Sequence, residues 1–221
     1  MPARELILTF HGLGEGVPER ATAAERKVWV PVEWFEAIVA ALPREGVALA
    51  FDDGNSSDAE LALPVLQRLG RSARFFVLAG KIGAPGHLGA ADIARLQVAG
   101  MTIGSHGLRH RDWRASTDTE LEAELAGSRR VLEDMLGVEV AEAACPFGSY
   151  DRRVLRALRR AGYRRVYNSD GGCSSARAWL APRTTVHRER PLEEWLALAA
   201  TGAHERPSAM SRAKRLVKRL R

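Results

Sequence analysis

Two short stretches carry residues able to hold a metal ion and use it. The first is His106-Gly-Leu-Arg-His110. Two histidines four apart lie on the same face of one helical turn, so both imidazoles can grip a single cation. The second is Asp52-Asp53-Gly54, directly after an apolar run. Adjacent carboxylates at the end of a buried strand repel each other, and a metal or a proton relieves that cost. Read alone, either aspartate also fits a turn or a helix cap, and the histidine pair also fits an exposed surface. Taken together, one Asp and two His form a three-ligand set. Such a set leaves positions open for water and substrate, as a catalytic zinc site requires.

The other reactive residues also follow short apolar runs. His11 follows 6–10, and Ser105 and His106 follow 101–104. Pro146, Phe147 and Tyr150 follow 141–145. Ser169 and Asp170 follow 165–167, and Arg183 and His187 follow a weaker run at 179–181. These runs read as strands, together with 47–51 and 74–78. Between them, 32–42, 59–69, 90–99, 118–136, 152–161 and 192–200 show helical spacing. Thr117 and Glu120 suit a capping box at the start of the longest helix. Run 47–51 is almost continuously apolar, as in a parallel strand covered on both faces. Strand–helix alternation of this kind predicts an α/β fold: one domain, a parallel, distorted (β/α) barrel of about seven strands, with an open sheet as the alternative. In a parallel barrel the C-terminal strand ends share one face, and the scattered groups converge there.

Composition agrees with a single soluble globular protein of 221 residues, 46% hydrophobic and 27% charged. The net charge is +6, yet Arg212, Lys214, Arg215, Lys218, Arg219 and Arg221 crowd the last ten residues. The expected division is a catalytic barrel at 1–202 and a basic tail at 203–221. The tail is expected to make at most a weak contact with an anionic surface. No interleaved aromatics or known motif supports nucleic-acid binding. Cys145 and Cys173 form no disulfide framework and read as free thiols. The first residues hold no apolar run long enough for a signal peptide, and no segment approaches a membrane span. A cytoplasmic protein is the expectation.

The motifs carry a resemblance. Asp52-Asp53-Gly54 resembles the first motif of the polysaccharide deacetylases, the carbohydrate esterases of family four. Gly-Ser-His106-Gly-Leu-Arg-His110-Arg-Asp-Trp resembles the second, and Pro146-Phe147-Gly148 the end of the third. Leu8-Thr9-Phe10-His11 is similar to the opening of a bacterial subgroup linked to exopolysaccharide synthesis. The resemblance implies that Asp53, His106 and His110 hold a divalent cation: zinc, with cobalt, nickel and manganese as alternatives. It implies that Asp52 is the general base and that the backbone N–H of Phe147 steadies the oxyanion. The general acid is His187 or His11. The reaction implied is removal of acetyl groups from N-acetylglucosamine-type sugars, in a polymer, an oligosaccharide or a precursor. A small N-acyl substrate and a non-catalytic sugar-binding member are the alternatives.

Three positions depart from the family pattern. Ala144 stands where the third motif has an Arg that orients the base, and Arg183 could brace Asp52 instead. Gly107 replaces a common Ser or Thr, and the surroundings of His187 match loosely. Asp170 could hold a ligand histidine or a sugar hydroxyl, or belong to a turn. Tyr150 and Trp113 could stack on a sugar ring or simply pack.

Overall fold

The computed structural model describes residues 4–17, 21–202 and Lys218. Six strands pair side by side in chain order, all parallel: β1 (Arg4–Phe10), β2 (Val47–Phe51), β3 (Ala73–Val77), β4 (Thr102–Ser105), β5 (Glu142–Ala144) and β6 (Arg165–Asn168). A further strand, β7 (Cys173–Ser175), lies antiparallel on β1. Next comes β8 (Leu180–Pro182), parallel to β6, and then β9 (Thr184–Thr185), parallel to β1. The stretch 180–185 therefore touches both edges of the sheet, with Arg183 at the changeover. It nearly closes the sheet into a barrel, as the strand–helix alternation predicts. The polar Cys-Ser-Ser of β7 gave no strand signal in the sequence, because its place comes from pairing with β1 rather than from burial.

Helices cover the outside: α1 (Ala23–Val28), α2 (Val32–Ala40), α3 (Leu63–Arg68), α4 (Ala90–Val98), α5 (Asp118–Glu122), α6 (Ser128–Leu136), α7 (Arg152–Arg160) and α8 (Leu192–Thr201). The expected helix at 118–136 is one continuous rod. Its Thr117–Glu120 capping box forms, and a π-helical segment, Ala123–Gly127, joins α5 to α6. A second π-helical segment, Asp58–Ala62, leads into α3. Helix α1 was not legible in the sequence, since it buries no residue and so has no apolar stripe.

Side chains alternate along each strand, and the two sets build two cores. Leu6, Leu8, Phe10, Phe51, Phe75 and Val77 face the helices. There Phe10, Phe35, Phe51 and Phe75 stack edge to face or face to face, with centroids 4.7–5.6 Å apart. Each buried ring contributes about 1.5–3 kcal/mol by leaving water. Ile7, Ala50, Phe76, Ala144, Tyr167 and Ala181 form a separate cluster. These alternate with the helix-facing set, so they fill the barrel interior. Counting on by two reaches His11 from Ile7, Asp52 from Ala50, Arg183 from Ala181, and His106 from Gly104, whose Cβ would meet the inner Phe76 ring. The pleat alone thus aims four polar residues of distant sequence at the C-terminal mouth of the barrel.

Candidate active site

Asp53 lies next to β2 with a left-handed backbone, φ 76°. His106 follows β4 and is 2% exposed. Its Nδ1 lies 2.9 Å from the carbonyl of Ala144. A carbonyl only accepts, so Nδ1 carries the proton and Nε2 keeps its lone pair for a ligand. Nε2 of His106 is 3.6 Å from Asp53 Oδ1, and Nε2 of His110 is 3.4 Å from the same oxygen. One donor atom from each of Asp53, His106 and His110 lies within 4.8 Å of the other two. Asp53 Oδ1 is buried and otherwise without a hydrogen-bond partner. Two imidazoles, one carboxylate and this spacing fit a divalent cation.

The two histidines do not share a helical turn, contrary to expectation. Residues 106–110 form a loop, with φ 85° at Gly107 and φ 57° at His110. A side chain at Gly107 would be strained, and its Cβ would fall 2.6 Å from a carboxylate oxygen of Glu124. That carboxylate, 2% exposed, accepts from the backbone N–H of Leu108 at 2.8 Å and of Arg109 at 3.2 Å. Glu124 therefore holds the His106–His110 loop from behind. Nothing in the pattern of the helix singled it out.

Asp52 is almost fully buried, and Arg183 grips it with two bonds of 2.6 and 2.7 Å. Burial alone would raise the carboxyl pKa. The charges of Arg183 and then His106, with the Arg183 hydrogen bonds and a smaller effect of His11, outweigh it and hold Asp52 well below the usual carboxylate range. Asp52 is thus an anion at neutral pH. The guanidinium sits 5.1 Å from the Phe76 ring centroid, inside the barrel. At Ala144 the third-motif Arg is absent, and here Arg183 makes the contact expected of it.

The remaining candidates divide. His11 lines a cavity together with Asp53 and His110. Phe147 is 67% exposed, has φ 57°, and places its ring 4.4 Å from that of His110. Pro146 is buried at the start of the same tight turn. His187 follows β9 and packs edge-on against Trp195, with centroids 5.4 Å apart. Tyr150 is fully buried and its hydroxyl donates to Asp170 at 2.6 Å, so it stands behind the rim and offers no stacking face. Trp113 is fully buried in the core as well. Asp170 also pairs with Lys218 Nζ at 2.7 Å. The rest of the expected basic tail, 203–217 and 219–221, lies outside the described residues.

Comparison with known proteins decides the family. The profile of the polysaccharide deacetylase family matches residues 40–166, more than half of the chain and both ligand motifs. The chain belongs to the polysaccharide deacetylase family. It is 25% identical over 192 residues to YxkH of Bacillus subtilis (strain 168), which bears the name of a polysaccharide deacetylase. That match covers 79% of this chain and 67% of YxkH. The fold is similar to that of the Streptococcus pyogenes deacetylase PplD, solved in complex with acetate. The TM-score is 0.80 at 19% identity, over 90% of this chain and 99% of that one. It is also similar to IcaB from Ammonifex degensii, with TM-score 0.71 at 19% identity, over 89% and 97% of the two chains.

A polysaccharide deacetylase is a hydrolase of carbon–nitrogen bonds, and this chain carries a possible metal-binding triad for such chemistry. Beside the triad the deacetylase has a cavity of about 210 Å³. Trp29, Asn55, Lys81 and His87 share its walls with His11, Asp53 and His110. Those four were not found from the sequence, since they are single residues on loops with no motif of their own. Among the described residues, no helix of the deacetylase is long and apolar enough to cross a membrane.

Proposed function

We propose that this chain removes N-acetyl groups from an N-acetylglucosamine-type glycan, with a divalent cation, zinc first, held by Asp53, His106 and His110. Such a cation, when bound, supplies a Lewis acid and makes water acidic enough to serve near neutral pH. The observation that carries the reading is the ionised, buried Asp52 beside that triad, aimed by the two-pronged grip of Arg183. Asp52 takes the proton of the attacking water. Arg183 keeps both carboxylate oxygens oriented, so the base needs no reorganisation as the reaction proceeds. The Phe147 ring packs 4.4 Å from that of His110, which supports the Phe147 backbone N–H as the donor to the oxyanion.

The departing amine takes a proton from His11, which lines the cavity with two of the residues assigned to the cation. His187, at the end of β9, is the alternative donor. The His11-containing opening of the chain supports the exopolysaccharide-linked subgroup. Acetate, seen bound in PplD, is the product this reaction releases.

Acetate release from N-acetylglucosamine oligomers of one to six units tests the reading, with chelator and after zinc or cobalt is restored. Chelator-sensitive release is expected. Asp52→Asn should lower turnover at least about a thousandfold while one cation per chain stays bound. No release from any oligomer by cation-loaded protein would move the assignment to another N-acyl substrate.

A further inference from the structure

We propose that helix α7 is a docking surface for an anionic lipid membrane, whose headgroup phosphates are taken by Arg152, Arg156, Arg159 and Arg160. The helix reads Arg-Arg-Val-Leu-Arg-Ala-Leu-Arg-Arg, with no acidic residue along it. At about 100° per residue, positions 152, 156, 159 and 160 fall on one stripe of the helix surface. All four are exposed. Val154, Ala157 and Leu158 fall opposite them and are buried. Arg153 lies off the stripe and serves the fold instead. It pairs with Asp118 and donates to the carbonyls of Trp113, Arg114 and Ser116.

The stripe is electrostatically unfavourable as it stands. Arg152 and Arg156, and again Arg156 and Arg160, are like charges four residues apart, a spacing that repels. Arg152 also sits in the first turn, where the helix dipole favours an acid. The nearby acids are mostly taken: Asp118 pairs with Arg153, and Glu139 with Arg164. Glu122 lines a groove between α5 and α7 together with Arg160. Arg159 lies over the Trp179 ring, 3.9 Å from its centroid, which leaves its charge in place. None of the four makes an ion pair among the described residues. An external anion would relieve a repulsion that the fold leaves standing.

The shape of the surface selects the partner. From Arg152 to Arg160 the helix rises about 12 Å along the convex outside of the barrel. Such a ridge meets a plane of phosphates with all its guanidinium groups, whereas one small anion would engage only one or two. A basic cluster on an amphipathic helix is the pattern that suits an anionic leaflet. The aromatic ring in the patch is not free to stack on a base. Arg159 covers the face of Trp179, and its Nε1–H donates to Tyr163 O at 3.0 Å. That disfavours single-stranded nucleic acid. Further positive charge adjoins the ridge: Lys218 Nζ lies 5.3 Å from the ring centroid of Tyr150, just before the helix begins. Docking along α7 lays the barrel on its side, with its mouth opening along the membrane.

Co-sedimentation tests the surface, with vesicles of phosphatidylcholine alone and of phosphatidylcholine and phosphatidylglycerol in equal parts. The full chain should bind the mixed vesicles and not the neutral ones, and binding should fall as salt rises. Each basic group near such a surface is worth roughly fivefold in partitioning, so Arg152→Gln, Arg156→Gln and Arg160→Gln together should weaken binding on the order of a hundredfold. The control carries Arg44→Gln, Arg68→Gln and Arg95→Gln, the same change of net charge on the other side of the barrel. It should lose less than about tenfold, since a charge beyond a Debye length of the leaflet is screened. Melting curves check folding. If the triple variant unfolds, Arg152→Gln with Arg156→Gln carries the test, at about 25-fold. Equal loss in the α7 variant and the control, equal binding to both kinds of vesicle, or no binding at all overturns the docking surface. Tighter binding to duplex DNA at equal phosphate concentration, with the same dependence on α7, overturns the membrane and assigns the ridge to nucleic acid. Vesicle binding needs no turnover, so its outcome is separate from that of the acetate assay.

Discussion

Arg183 and Asp52 are the most consequential pair in the molecule, and neither residue is interchangeable with a near relative. The guanidinium is a planar fork that meets both carboxylate oxygens at once, whereas an ammonium is a point charge. Arg183→Lys should therefore keep much of the stability while lowering kcat by roughly a hundredfold, because the carboxylate proposed as the base is no longer aimed. Arg183→Met should leave a buried, unpaired carboxylate and cost about 3–5 kcal/mol in denaturant unfolding. Adding Asp52→Asn to Arg183→Met should recover a large part of that loss. An additive double variant would show that the two side chains do not depend on each other.

At the scale of elements, the rod formed by α5, the π-helical segment and α6 reaches the site although none of its residues touches a reacting atom. It brings Glu124 beneath the His106–His110 loop, where the carboxylate takes two backbone N–H groups. Ser128, on the same rod, lies 2.7 Å from Ser105 Oγ, which in turn accepts from Gly107 N–H. The loop is thus held by hydrogen bonds while two of its residues occupy left-handed backbone. Glu124→Ala should lower cation affinity about 10–100-fold in competition with a chromogenic chelator, the range typical of groups that support metal ligands. Glu124→Gln keeps an acceptor oxygen and should recover part of it. Equal affinities for all three proteins would show that the loop holds its shape without the carboxylate.

At the scale of the whole molecule, the mouth of the barrel gathers more acid than it can expose. Asp58, fully buried, joins Asp52 and Asp53 there. Burial first, and then the charges of Asp53 and Asp52, push its carboxyl well above the usual range. A carboxyl with a raised pKa in the fold contributes stability below its unfolded value of ~3.9. That contribution is lost as the pH rises through the folded value. Asp58→Asn removes the penalty. Without a bound cation it should be more stable than the parent at pH 8 by on the order of 1 kcal/mol, and the advantage should vanish near pH 4. A difference that does not vary with pH would show that folding leaves the Asp58 pKa unshifted.

The sequence by itself determined the strand–helix alternation, the parallel barrel and the three residues, Asp53, His106 and His110, that come together as a possible metal-binding set. Each of these is written in neighbouring residues: apolar runs of strand length, helical spacing, and motifs placed directly after strands. The inward parity that aims His11, Asp52, His106 and Arg183 follows from the pleat and could be counted from the sequence once the strands were placed. Only the tertiary structure decided the rest. Arg183 meets Asp52 across 131 residues because the stretch 180–185 leaves β6 and joins β1 at that residue, and strand closure is a long-range event with no local signal. The same holds for Glu124, whose partners are backbone N–H groups, and for Trp29 and His87, which become neighbours only when two loops fold over one mouth. Hydrogen bonds to backbone and cavity walls depend on where chains meet, and residue type alone does not encode the meeting.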